Sequence, residues 1–211
     1  MRSTLLSLHS ILTALDVDAA CLPLLEQAPT YHELLQAHTP DTVYAAIRSI
    51  GDTLHANPKA DQLIENLEER INIIAHKLKF IADESKPRVV FLTDVSPVKI
   101  HSDTYLEIIA RIAGGIPINA SAVDTADAVV VVCEKPTPHV LAVLPAMLAL
   151  PEWAQTAAVK HGNVYIIHHP DHLRQPGALI ADDIEILAEI LYPKQFIFGR
   201  DEDAWMKFEG Q

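Results

Sequence analysis

Asn163-Val164-Tyr165-Ile166-Ile167-His168-His169-Pro170-Asp171-His172-Leu173-Arg174-Gln175-Pro176-Gly177 changes character at its midpoint. Residues 164–167 are apolar without alternation, the mark of a strand buried on both faces. A polar, histidine-rich loop follows, and then an amphipathic helix that uses Ile184, Leu187 and Leu191. A strand that releases ionisable side chains at its carboxyl end, before a helix returns, is where an open α/β sheet holds a ligand. The stretch predicts a parallel sheet and a binding loop at its edge.

Working outward, Arg88-Val89-Val90-Phe91-Leu92 and Ala128 to Val132 read as two more buried strands. The segment from Thr93 to His101 reads as a loop. Ser102-Asp103 caps a helix with Leu106, Ile109 and Ile112 inside, and Gly114-Gly115 ends it. Pro138 opens another helix, which Pro145 is expected to kink or break. Apolar strands alternating with helices give the fold class: α/β, with a parallel-sheet C-terminal lobe over residues 85–211. Upstream, Asn57-Pro58 starts a helix expected to run to about Asp83, with Ile64, Leu67, Ile71, Ile74 and Leu78 on its apolar stripe. Such a helix would be roughly 40 Å long and would serve as a backbone brace over residues 57–84. Thr39-Pro40-Asp41 marks an earlier helix start. Residues 1–56 hold no comparable strand run and read as mostly helical.

The chain has 211 residues, 49% of them apolar, which predicts a packed core. A net charge of -12 speaks against nucleic acid and anionic membranes. Cys21 and Cys133 make no disulfide framework, and Cys133 ends an apolar run as a small buried residue. The first residues faintly suggest a signal peptide, but His9 and several hydroxyls dilute the apolar stretch, so it reads as an amphipathic helix and leaves the compartment open. No GxSxG, phosphate loop, GxGxxG or HExxH occurs, and no carboxylate pair suits acid–base chemistry. The expectation is a protein that is not an enzyme.

The order of elements resembles the periplasmic binding proteins of siderophore, haem and cobalamin ABC transporters, the helical-backbone metal receptors. The resemblance rests on the brace, on Thr104-Tyr105-Leu106-Glu107-Ile108-Ile109 through Gly114-Gly115, and on Asp127-Ala128-Val129-Val130-Val131-Val132. Ala157-Ala158-Val159-Lys160-His161-Gly162-Asn163-Val164-Tyr165, Arg174-Gln175-Pro176-Gly177 and Tyr192-Pro193-Lys194-Gln195-Phe196 continue it in order. It implies two lobes joined by the brace, with a metal chelate (a corrinoid, haem or a ferric siderophore) clamped between them and an ABC permease as partner. It also implies a periplasmic location. Against that pattern residues 1–56 are a shortened N-terminal lobe, and Ala178-Leu179 stand where the family carries a further arginine.

The candidate ligand-binding residues follow. In cobalamin-binding relatives an Asp and an Arg of the terminal loop bond the corrin amides, so the resemblance implies that role for Asp171 and Arg174. The plainer reading is a surface ion pair. His169 and His172, with His168, suit an axial ligand or a hydrogen-bonded loop. Thr93, Asp94, Lys99, Glu134 and Lys135 follow strands and are candidates for the cleft wall, although charged loop residues are often only solvated. Tyr31 and His32 lie in the shortened lobe and are placed to face a ligand. Trp153 and Phe196 read as core. The tail Asp201 to Phe208 reads as docked, swapped or frayed. Two alternatives to chelate binding stand: a ligand-free scaffold acting as a homo-oligomer, and direct Zn or Mn binding through the histidines.

Overall fold

In the computed structural model, residues 2–101, 103–201 and 203–210 are described, with the side chains of residues 2–6 left out. Ser102 of the proposed helix cap and Glu202 of the tail lie outside the described residues. The chain opens with helices α1 (Arg2–Ala14), α2 (Leu22–Glu26), α3 (Pro29–Leu35), α4 (Pro40–Thr53) and α5 (Asn57–Leu78). Thr39 caps α4 reciprocally: its Oγ1 accepts from the Thr42 amide at 3.2 Å while its own amide donates to Thr42 Oγ1 at 3.0 Å. No strand precedes α5 among the described residues.

The brace is shorter than its apolar stripe suggests. It stops at Leu78 after 22 residues, roughly 33 Å. Continuing it would have placed Asp83 and Glu84 at the negative end of the helix dipole, whereas Lys77 and Lys79 suit that end. The chain turns instead, with the Ile81 amide donating to Leu78 O at 3.0 Å.

Next come β1 (Arg88–Val95), β2 (Val98–Ile100), α6 (Thr104–Ile112), β3 (Ile116–Pro117), β4 (Ala128–Val131), α7 (Thr137–Leu148), α8 (Pro151–Ala154), α9 (Ala157–Lys160), β5 (Val164–Ile167), α10 (Ile180–Leu191) and β6 (Trp205–Lys207). The sheet order is β2-β1-β4-β5-β6, with β3 also paired to β1. β1, β4 and β5 are parallel neighbours, as the apolar runs predict. The loop expected after Leu92 is instead a hairpin, because β1 runs on to Val95 and pairs antiparallel with β2. Pro145 does not break α7, which continues past it to Leu148; it is exposed, so the carbonyl it frees one turn earlier can be hydrated. The tail docks as β6, antiparallel to β5.

Strand alternation divides the core into two clusters. Val89, Phe91, Val130, Tyr165 and Ile167 face α5, α6, α10 and the N-terminal helices. Val90, Leu92, Val129, Val131 and Ile166 face the α7–α9 side. The first cluster is continuous from Leu8 in α1 to Ile190 in α10. Each fully buried aliphatic side chain stabilises by ~1.5–3 kcal/mol, so this continuity ties the N-terminal helices to the sheet. Trp153 and Phe196 are buried, as read. α5 lies against both α4 and α10. Arg70 of α5 forks onto Glu185 of α10 at 2.7 and 2.6 Å and reaches Asp182 at 3.0 Å, a bidentate half-buried pairing that fixes the brace on the sheet layer.

Candidate ligand-binding cleft

A cleft of about 390 Å³ opens at the carboxyl edge of the sheet, where topology places ligands in α/β folds. Three segments wall it. The β1–β2 hairpin supplies Thr93, Asp94 and Lys99, the chain after β4 supplies Glu134 and Lys135, and the loop after β5 supplies Leu173 and Arg174. The parallel register of β1 and β4 sets the first two walls side by side, with Leu92 opposite Val131.

The Lys135 ammonium crosses between walls, donating to Asp94 at 2.7 Å and to the Ser96 carbonyl at 2.8 Å. The Ser96 amide also donates to Asp94, at 3.1 Å. That lysine hydrogen bond first, and then the amide, hold the Asp94 carboxyl down at about 2. Lys99 and Glu134 are exposed, and among the described residues neither forms an ion pair.

Arg174 is the half-buried cation of the cleft. It donates from Nη2 to the Cys133 carbonyl at 2.8 Å, while its Nε is sealed from solvent with no partner. Burial draws its basicity below the ordinary arginine value. The residue before it, Leu173, takes φ 56°; this left-handed turn accompanies the switch from a buried leucine to a cleft-facing arginine. Arg174 also borders a smaller hollow of about 150 Å³ shared with Tyr105, His38 and Ser7. There α1 is fastened to the loop: Ser7 Oγ donates to Pro176 O at 2.7 Å.

Beneath the loop lies a buried polar group. Tyr105 Oη of α6 donates to Asp183 Oδ2 at 2.7 Å, and His172 Nδ1 lies 2.9 Å from Asp183 Oδ1. The Leu173 amide bonds the same carboxylate. Asp183 and Tyr105 are essentially inaccessible, at 0% and 1% exposure. Burial raises the Asp183 carboxyl above its ordinary value against the opposing pull of His172 and Tyr105. It also raises the Tyr105 hydroxyl well above its own. His169 packs on His172 with ring centroids 4.8 Å apart, its Nδ1 accepts from the Asp171 amide at 3.3 Å, and desolvation, then the neighbouring His172, pushes its pKa down.

Of the residues singled out in the sequence, Thr93, Asp94, Lys99, Glu134, Lys135 and Arg174 meet in one cleft. Asp171, His169, His172 and Tyr31 are not on its walls. His172 turns inward to Asp183, and Tyr31 packs on the N-terminal core beside His32, ring centroids 5.8 Å apart. Among the described residues no group of three His, Cys, Asp or Glu is placed to hold a metal ion. Sequence reasoning missed His101 on the cleft wall and the Asp183 network. Asp183 carried a signal, since it follows Ile180 by three positions and precedes Leu187 by four, on the apolar stripe of its helix.

Comparison with known proteins agrees with the fold. The pattern of the periplasmic binding proteins matches residues 9–170. An uncharacterised ABC transporter substrate-binding lipoprotein of Bacillus subtilis (strain 168) is 27% identical over 166 residues, which are 73% of this chain and 51% of the relative. The chain thus spans about half the length of the curated relative it matches. A crystal structure of an ABC transporter substrate-binding protein from Listeria monocytogenes EGD-e superposes with a TM-score of 0.64 at 17% identity, covering 74% of this chain and 66% of that one. The structure of S. aureus IsdE complexed with haem gives 0.63 at 15% identity, covering 82% and 74%.

Proposed function

This chain belongs to the periplasmic binding protein family, and from that premise we propose that it binds a metal chelate in the sheet-edge cleft for ABC-type uptake. The observation that carries the reading is the cleft itself: polar groups from three segments converge on an open hollow, and among the described residues neither Tyr31 nor any residue of α1 lines it. In a chain of net charge -12, that hollow gathers Lys99, Lys135 and Arg174 against Asp94 and Glu134. A concave site with this balance draws ligands rimmed by carboxylates or amide oxygens. Cobalamin, haem and ferric siderophores carry such rims, and the haem in the S. aureus structure supports the class.

Arg174 supplies the directional contact, because its half-desolvated planar guanidinium stands on the cleft wall, anchored through Nη2 to the Cys133 carbonyl. Lys99 and Glu134 add exposed rim charges of both signs. The ABC permease is the partner in this reading. The test is absorbance titration of haemin and cyanocobalamin into Lys99→Glu and Arg174→Ala proteins beside the parent. Each substitution should weaken binding of the true ligand by about tenfold or more, with folding retained. Unchanged affinity in both would remove the cleft from the account.

A further inference from the structure

The loop that carries Arg174 makes its turn over a buried carboxylate. Asp183 stands in the first turn of α10 with no accessible surface. It receives Tyr105 Oη at 2.7 Å, faces His172 Nδ1 at 2.9 Å and accepts the Leu173 amide. Two of those three partners are the residues immediately before Arg174, and the third comes from the neighbouring helix α6. A buried acid is expensive unless its lone pairs are filled, so its persistence here points to what it organises. His172 and Leu173 are both buried, and Leu173 adopts φ 56°, a conformation that a branched side chain takes only when its surroundings hold it there. Glycine is absent from this turn, so the side chain at 183 supplies the restraint that backbone freedom does not.

We propose that Asp183 is the positioning residue of the cleft: by gripping His172 and Leu173 against Tyr105, it fixes the turn that delivers Arg174 to the cleft wall. The grip is three-sided. Tyr105 fixes one carboxylate oxygen from α6, His172 meets the other, and the Leu173 amide locks the backbone one residue before the arginine. With the turn held, Nη2 of Arg174 reaches the Cys133 carbonyl at 2.8 Å while its Nε stays enclosed. The Ser7 hydrogen bond to Pro176 holds the loop beyond Arg174 and does not define its rotamer. That this turn matters for ligand rests on the chelate-binding reading above; that Asp183 sets it does not.

The experiment therefore needs no ligand. Amide exchange is followed by NMR at Leu173 and, as a reference for the whole fold, at Leu187 in the middle of α10, together with the Arg174 Nε–H resonance and tryptic cleavage after Arg174. In Asp183→Asn the side chain keeps its shape but offers one acceptor oxygen where the carboxylate offers two. Leu173 should exchange at least about tenfold faster relative to Leu187, the Arg174 signal should shift, and cleavage should accelerate. If Leu173 and Leu187 quicken together, or neither changes, Asp183 is only part of the core and the proposal fails. Should Asp183→Asn not fold, His172→Ala removes one arm while leaving the carboxylate, and the same two outcomes decide. Titration of the parent protein with haemin and cyanocobalamin runs beside it. Silence there would count against the chelate reading while leaving the loop result standing.

Discussion

Tyr105 and Asp183 join α6 to α10 through a 2.7 Å hydrogen bond in an interior that neither residue shares with solvent. One end of this contact belongs to the helix behind β1, and the other underlies the loop that walls the cleft. Fold and site therefore meet at one buried carboxylate.

Removing the phenol hydroxyl tests how far the network supports the fold. Tyr105→Phe leaves Asp183 with one donor fewer while preserving the ring, so equilibrium denaturation in urea should show a loss of about 1–3 kcal/mol. A loss well below that would mean that His172 and Leu173 satisfy the acid alone.

Asp94 and Asp183 oppose each other in their pH dependence. Lys135 lowers Asp94 from 3.8 to about 2, so its stabilising contribution is present above about 3.8 and is lost as pH falls through about 2. Asp183 is raised by burial, so the folded state holds its proton more tightly than the unfolded chain, and protonation favours folding as pH falls through that elevated value. Acid unfolding curves should therefore lose the first slope in Asp94→Asn and the second in Asp183→Asn.

Glu189 anchors the tail. Its carboxylate accepts from the amides of Phe198, Gly199 and Arg200 at 2.7, 2.9 and 3.2 Å, and from Trp205 Nε1 at 3.2 Å. Glu189→Ala should free β6 from β5, shift Trp205 emission to the red and cost about 2 kcal/mol. Unaltered Trp205 emission would show that strand pairing alone holds the tail.

α4 and α5 approach closely at Gly51, where an added Cβ would lie 2.6 Å from Ala60 Cβ. Gly51→Val should therefore destabilise by about 1–3 kcal/mol through overpacking, read as a lower thermal midpoint. An unchanged midpoint would mean that the helix pair relaxes apart freely.

The sheet was legible because each central strand is an unbroken apolar run, and the brace because its stripe recurs at helical spacing. Position after a strand was enough to nominate Thr93, Lys99, Glu134 and Lys135, since parallel topology sets those ends side by side. The hairpin was hidden by its length: β2 spans 3 residues and follows Ser96-Pro97, which reads as a break. The Asp183 network was hidden by distance along the chain, because Tyr105 and Asp183 are 78 positions apart. Only the acid's place on an apolar stripe betrayed its burial. The hydrogen-bonded reading of the loop histidines fits His172, but its partner could not be foreseen: the ring turns out of the polar loop into the core to meet Asp183.

Calorimetric titration of the folded protein with haemin, cyanocobalamin and a panel of ferric siderophores decides whether this cleft takes a chelate. A chelate-binding cleft should give saturable one-to-one binding of at least one of them in the micromolar range or tighter, ~-8 kcal/mol or more favourable. Silence across the whole panel would contradict it and leave a protein that keeps the scaffold and works through other contacts.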